Sequence, residues 1–271
     1  MGTMPKTFPG YQPVEVEETR KKFEEAWGRT LPSEARLTCT DMYMAASRGN
    51  FKGLYVIGED ILMNEPNYNG MKKMLNGLDL LVVQDIFMSE TAKLAHVVLP
   101  AASFAEKDGT FTNAERRVQL LRKAVEPPGE ALSDWEIICR LSGEMGYPMD
   151  YNNSSEIMDE IAALTPLYGG ISHKRLKGHG LQWPCPDKDH PGTSSMHKEE
   201  FKRGKGKFFP VEHREPAETV DGEYPFILST GRILFQHCAG TMTRRTKPIE
   251  REHPQNFVMI NVEDGKSIGV R

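Results

Sequence analysis

Between residues 54 and 99 the sequence carries three short, unbroken apolar runs, Leu54-Tyr55-Val56-Ile57, Leu80-Leu81-Val82-Val83 and Val97-Val98-Leu99, separated by helical stretches at Tyr68 to Leu75 and Ser89 to Leu94. A strand with one face in water alternates apolar and polar residues, whereas a parallel strand covered on both faces does not. The β-α-β-α-β order with short connections then restricts the topology to parallel strands joined by right-handed crossovers, an open doubly wound sheet. In such sheets ligands gather just beyond the carboxyl ends of the strands. That rule points to Gly58-Glu59-Asp60 and Gln84-Asp85.

Helices are expected on both sides of this segment. Val16 to Trp27 and Thr40 to Arg48 precede it, the second ending at Gly49. Ser133-Asp134-Trp135-Glu136 is a capping box for a helix carrying Ile138, Leu141 and Met145 and ending at Gly146; another helix, Ser155 to Leu164, stops at Pro166. Past Ala105 the chain is polar, with a turn expected at Asp108-Gly109 and a charged cluster at Glu115-Arg116-Arg117. From Thr165 to about Gly222 apolar runs are scarce, and a structureless stretch of that length should lean on something larger. Tyr224 to Leu228 and Phe257 to Ile260 read as strands opening an all-β domain.

With 271 residues, 38% hydrophobic and 27% charged, the chain has ordinary globular composition and room for one large or two ordinary domains. A net charge of -4 gives no reason to expect nucleic acid or an anionic membrane surface as partner. No window approaches the roughly 20 apolar residues of a membrane span, and the N-terminus lacks the pattern of a signal peptide. A cytoplasmic location is the resulting expectation. Cys39, Cys139, Cys185 and Cys238 lie far apart with no C-x-x-C pair, so they read as reduced thiols rather than as zinc or iron–sulfur ligands.

Each candidate site residue has a plainer alternative. Asp85 either accepts two hydrogen bonds from N1 and N2 of a guanine or caps the turn around Ser89. Gly58-Glu59-Asp60 either lets backbone amides approach a ribose or phosphate or is an ordinary turn. Thr230-Gly231-Arg232 and Thr241-Met242-Thr243-Arg244-Arg245 would suit a pyrophosphate, or form a solvated basic hairpin. Lys202 to Lys207 is a basic run without interleaved aromatics and reads as solvated. His237 and Cys238 lack a third metal ligand at useful spacing, and Cys185, Asp187, Asp189 and His190 give only a mixed loop. The G-x-G-x-x-G fingerprint is missing after a strand, and Gly265-Lys266-Ser267 has Ile260 where a phosphate loop needs glycine, so direct NAD or ATP binding has no support.

Longer motifs go further. Val82-Val83-Gln84-Asp85-Ile86-Phe87-Met88-Ser89-Glu90-Thr91-Ala92, then Val97 to Ala102, closely resembles the molybdopterin oxidoreductase family, and Glu106 to Gln119 looks like its next signature segment. Leu181 to Pro186, His190-Pro191-Gly192-Thr193 and Thr230-Gly231-Arg232 extend the likeness to the catalytic subunits of formate dehydrogenases. The resemblance implies a molybdenum or tungsten ion chelated by two molybdopterin guanine dinucleotides, formate as substrate, and electron-transfer subunits as partners. It implies guanosine contacts from Gln84, Asp85 and Ser89, with Gly58, Glu59 and Asp108 along the same crevice. Thr230, Gly231, Arg232, His237, Thr241, Met242 and Thr243 would reach the dinucleotides from a later domain.

The same resemblance assigns residues 1–130 to the α/β domain, 131–222 to a helical and loop-rich connection, and 223–271 to the start of a β-barrel-like domain. The family's 4Fe-4S region, and the cysteine or selenocysteine, histidine and arginine around its metal, have no counterparts in this sequence. The expectation is therefore an internal stretch of a longer catalytic subunit that grips the cofactor and does not turn over formate alone. Asp60-Ile61 also stands where the family usually shows Asn-Pro. The competing readings are another molybdopterin oxidoreductase of nitrate reductase type, a non-catalytic Complex I-type subunit, and a nucleotide-binding scaffold.

Overall fold

The computed structural model describes residues 4–201 and 203–270. A small hairpin, β1 (Thr7–Phe8) and β2 (Gln12–Pro13), leads into α1 (Glu17–Trp27), whose Phe23 stacks on Phe8 with ring centroids 4.7 Å apart. The central α/β unit runs α2 (Cys39–Ser47), β3 (Gly53–Ile57), α3 (Ile61–Asn64), α4 (Tyr68–Asn76), β4 (Leu80–Asp85) and β5 (Val97–Pro100). β4 lies between β3 and β5 and pairs with both in parallel, as the unbroken apolar runs predict. Helix starts are built from side chains that occupy otherwise unpaired backbone donors. Thr38 and Asp41 form a reciprocal capping box at α2, and Asn67 Oδ1 accepts from Gly70 N at 3.1 Å at α4.

Helices α2, α3 and α4 cover one face of the sheet, and on the other Gln84 is buried against Asp134, at the start of a later helix. Val56, Leu81 and Val83 pack against Tyr43 of α2, Ile61 and Leu62 of α3, and Met74 and Leu75 of α4. Ile57, Leu80 and Val97, on the other face, are exposed. Continuous hydrophobicity reports that both faces of a strand are apolar; it does not say what covers them.

A second unit was not foreseen. β6 (Gly109–Thr112), β7 (Arg117–Leu121) and β8 (Leu181–Gln182) form an antiparallel sheet, so Gly109 opens a strand rather than a turn. The hairpin turns at Asn113, whose side chain accepts from Glu115 N at 2.9 Å and Arg117 N at 3.0 Å. Helices α5 (Asp134–Glu144) and α6 (Ser154–Leu164) follow, and Glu136 of the expected capping box accepts from Ser133 N at 3.0 Å. Val118, Met158, Tyr168, Ile171, Leu176 and Cys185 make this unit's core.

Residues 166–194 are therefore folded, against the expectation for Thr165 to Gly222. Arg116 donates to the carbonyls of Trp183 and Thr193, and Arg175 to that of His190 at 2.7 Å, so two arginines supply the organisation that strands would otherwise give. Cys185 is buried within this arrangement. From 195 to 232 the described chain has no regular element, and Lys202 of the basic run lies outside the described residues. Tyr224 to Leu228 and Phe257 to Ile260 are not strands: neither finds a pairing partner among the described residues, and helices α7 (Lys247–Glu252) and α8 (Val262–Ser267) are the regular structure there. No described helix is long and apolar enough to cross a membrane.

Candidate nucleotide-binding cleft

A cavity of about 570 Å³ opens where β3 and β4 release the chain, walled on its far side by residues 101–111 and roofed by Thr241, Met242 and Arg245. That size lies within the range of roughly 300 to 1,000 Å³ usual for small-molecule sites. Of the residues singled out in the sequence, Gly58, Gln84, Asp85, Ser89, Asp108, Thr241 and Met242 line it.

Asp85 ends β4 with its carboxylate at the cavity. Its Oδ1 accepts from Phe87 N at 3.1 Å, a short turn that fixes the orientation of the carboxylate. The expected cap around Ser89 belongs instead to Ser89 itself, whose Oγ accepts from Ala92 N at 3.2 Å. A carboxylate has about four lone-pair positions, so one backbone bond leaves Asp85 able to receive two more donors.

Gln84 plays a different part from the direct contact expected of it. It is 0% exposed, its Oε1 accepts from the Tyr55 hydroxyl, and its Nε2 donates to Asp134 Oδ1 at 2.7 Å. Lys107 donates to the other oxygen of Asp134, closing a relay along the cavity floor. Burial, and then the charge of Asp134, raises the Tyr55 pKa, which keeps its hydroxyl a donor. Asp134 at the start of α5, Lys107 and Asn64 all line the cavity and were missed as site residues. The signal for Asp134 was present in the capping box, but a cap and a cavity carboxylate look alike in sequence.

Asp60, which the sequence offered either in a backbone approach to a ribose or phosphate or in an ordinary turn, has a structural part. It is buried, and its carboxylate accepts from Glu90 N at 3.2 Å, Thr91 N at 3.0 Å and Thr91 Oγ1 at 2.7 Å, while Thr91 Oγ1 accepts from Leu62 N at 3.1 Å. This knot joins the loop after β3 to the loop after β4, the two that form the cavity lip. Gly58 sits between them with φ +62°, a left-handed conformation that glycine adopts without strain, and donates to Gln84 O at 2.8 Å.

Glu59 is exposed, accepts from Asn64, and does not line the cavity. Thr230, Gly231 and Arg232 are exposed and also lie outside it. His237 and Thr243 belong to a separate knot: Thr243 Oγ1 donates to Gln236 Oε1 at 2.6 Å and accepts from His237 N at 3.2 Å. The His237 ring has Cys238 Sγ 4.0 Å away, and among the described residues no group of three metal-ligating side chains occurs.

Residues 15–144, which include the sheet and most of the cleft, match the model of the family described as molybdopterin oxidoreductase. The alpha subunit of an F420-dependent formate dehydrogenase from Methanocaldococcus jannaschii is 52% identical over 274 residues, covering 100% of this chain and 40% of that subunit. Formate dehydrogenase H of Escherichia coli is 37% identical, covering 100% of this chain and 39% of that protein. The chain thus spans about 40% of the length of these relatives. The acetylene hydratase from Pelobacter acetylenicus superposes with a TM-score of 0.65 over 99% of this chain and 39% of its own, at 21% identity, a likeness of fold. Residues 15–144 are thus similar to the molybdopterin oxidoreductase family, and along its whole length the chain is similar to part of formate dehydrogenases, the alpha subunit among them.

Proposed function

We propose that this chain forms part of the cofactor cradle of a formate dehydrogenase catalytic subunit, with its cleft taking the guanine nucleotide end of a molybdopterin guanine dinucleotide. The observation that carries this reading is the carboxylate of Asp85 at the tip of the central parallel strand, oriented by Phe87 N and facing a cavity of nucleotide size. The residues present suit such a group. Asp85 offers two acceptor positions for N1 and N2 of guanine, Gly58 leaves the cavity lip without a side chain, and Ser89 and Asp108 extend the polar lining.

When bound, a molybdenum or tungsten ion held by two such dinucleotides supplies the two-electron acceptor for formate, HCOO⁻ giving CO₂, H⁺ and two electrons. This chain's residues bind and orient. The relay from Tyr55 through Gln84 to Asp134 and Lys107 holds the cavity floor in one arrangement, so a ligand meets acceptors already in place. Electron-transfer subunits as partners, a 4Fe-4S cluster in the longer parent and a cytoplasmic setting belong to the same proposal. So does the pairing of the apolar runs at Tyr224–Leu228 and Phe257–Ile260 with further strands of a barrel-like domain.

The test is calorimetric titration of the purified chain with GDP. Saturable binding that Asp85→Ala removes, in a protein with unchanged circular dichroism, is the expected result. A folded chain that takes up no GDP would sink the cofactor reading and leave an interaction scaffold.

A further inference from the structure

The cleft lies between two units that pack separately. One core gathers Val56, Leu81 and Val83 of the sheet with α2 to α4, the other Val118, Met158, Tyr168 and Leu176, and the two share no residue. The N-terminal segment sides with the second unit: Gln12 Nε2 and Lys22 Nζ donate to Leu164 O at 3.0 and 2.9 Å, Trp27 Nε1 to Glu160 Oε1 at 2.9 Å, and Tyr147 Oη to Trp27 O at 2.7 Å. Arg36 N still donates to Pro5 O at 2.8 Å, and two residues later Thr38 opens the capping box of α2. Leu37 is thus where the chain first crosses to the sheet unit. It crosses back between Ala102 and Ser103, where Ser103 begins the next capped turn, its N donating to Glu106 Oε2 at 2.7 Å.

Among the described residues, the hydrogen bonds between the two units all come from one place. Ala102 N donates to Leu132 O at 2.7 Å, Leu132 N to Pro100 O at 3.2 Å, and Gln84 Nε2 to Asp134 Oδ1 at 2.7 Å, so the carboxyl ends of β4 and β5 meet residues 132–134. The buried side chains flanking this spot, Ala101, Ala102 and Ala131, are small. The roof does not bridge the units, since its Arg245 donates to Met88 O, on the sheet side, at 3.5 Å. The cleft walls, residues 58–64 on one unit and 104–111 on the other, therefore meet at a single corner. Units joined over a small contact move relative to each other unless a large apolar interface holds them. A contact confined to one edge of a cleft makes that edge a pivot.

We infer that the cleft is a hinge: the sheet unit and the unit formed by residues 4–36 and 103–194 pivot at residues 132–134, flex at Leu37 and at the Ala102–Ser103 link, and close on a nucleotide entering between them. The inference rests on the nucleotide reading of the cleft and adds that loading it is a closing motion. The cause is where the polar groups sit. Asp85 and Ser89 lie on one unit, Lys107 and Asp108 on the other. A ligand that spans the cavity bonds to both, and it favours the closed arrangement by binding that arrangement more tightly. The bonds at residues 132–134 lie on the axis and survive a small rotation.

Pulsed electron paramagnetic resonance reads the motion on the full chain, with Cys39, Cys139 and Cys238 replaced by serine and Cys185 left buried. Spin labels go on Met63→Cys and Glu115→Cys, exposed positions on opposite units. Saturating GDP, its uptake followed by calorimetry on the same labelled protein, shortens the mean distance between labels by several ångströms and narrows its distribution. A control pair within the second unit, Glu115→Cys with Met145→Cys, keeps its distance. GDP uptake with an unchanged distance between the units overturns the hinge and leaves the nucleotide site standing. So does a control pair that shifts as much, which would mean loosening inside one unit. A folded chain that takes up no GDP overturns the nucleotide site and the hinge together.

Discussion

The run Leu80 to Val83 and the run Tyr224 to Leu228 have similar apolar, β-favouring composition and opposite fates. In the first, two parallel neighbours and three helices bring Leu81 and Val83 to 0% exposure; in the second, Ile227 and Leu228 remain 80% exposed with no strand alongside. The difference lies in what surrounds each run. β-propensity is realised by cross-strand and same-face neighbours, so a strand-like sequence without a partner stays irregular. The polar residues follow the same division. Asp60 is buried and fully engaged in the first region, while the hydroxyl and guanidinium of Thr230 and Arg232 stay in solvent in the second.

If that contrast is right, substitutions in the two regions differ in a ranked way. The largest effect is expected at Leu81→Ala, which leaves a cavity under the sheet and costs about 2 to 5 kcal/mol by urea unfolding; a loss below about 1 kcal/mol would mean the sheet is loosely packed. Asp60→Ala follows at about 2 to 3 kcal/mol, since it orphans buried donors at Thr91. It should also raise hydrogen exchange at residues 58–64 and 89–92 together, and exchange in only one of the two loops would contradict the knot.

A smaller effect depends on pH. His173 is buried with Nε2 unpartnered, and burial, then the charge of Arg122, lowers its pKa, with Asp159 and Asp108 opposing. The unfolded chain takes up a proton near the ordinary histidine value of about 6.5, where the folded chain does not. This histidine therefore lowers stability as pH falls below that value and costs nothing above it. His173→Gln should show a shallower loss of stability than wild type between about pH 7.5 and 5.5, and identical slopes would refute the assignment. The smallest effect is expected at Ile227→Ser, within about 0.5 kcal/mol of wild type because the side chain has little to lose; a cost above about 1.5 kcal/mol would show this run to be packed and would break the comparison.

The parallel sheet was legible because its signal is local: three apolar runs, their spacing, and turn residues between them. Asp85 was legible for the same reason, since it follows directly from where β4 ends. The relay was not, because Tyr55, Gln84, Lys107 and Asp134 come from four segments and none is unusual in its own neighbourhood. The folding of residues 166–194 was hidden in another way. Its organisation comes from Arg116 and Arg175 binding carbonyls, and arginines in a polar stretch read as solvated charge. The motif resemblance pointed to the family and also implied cofactor contacts from Thr230 and Arg232, which lie outside the cleft.

The floor relay has a direction. The Tyr55 phenol and the Lys107 ammonium each give a proton inward, and the amide of Gln84 is the one group that receives on one side and gives on the other. Its mirror-image orientation would set acceptor against acceptor at the carboxylate of Asp134. Glutamate, nearly identical in shape, would do the same at neutral pH. Position 84 is therefore a polarity lock, where one –NH₂ matters more than volume or hydrophobicity, and where exchange for an isosteric acid would be felt twenty-three residues downstream at Lys107 through the loss of its counter-ion's geometry.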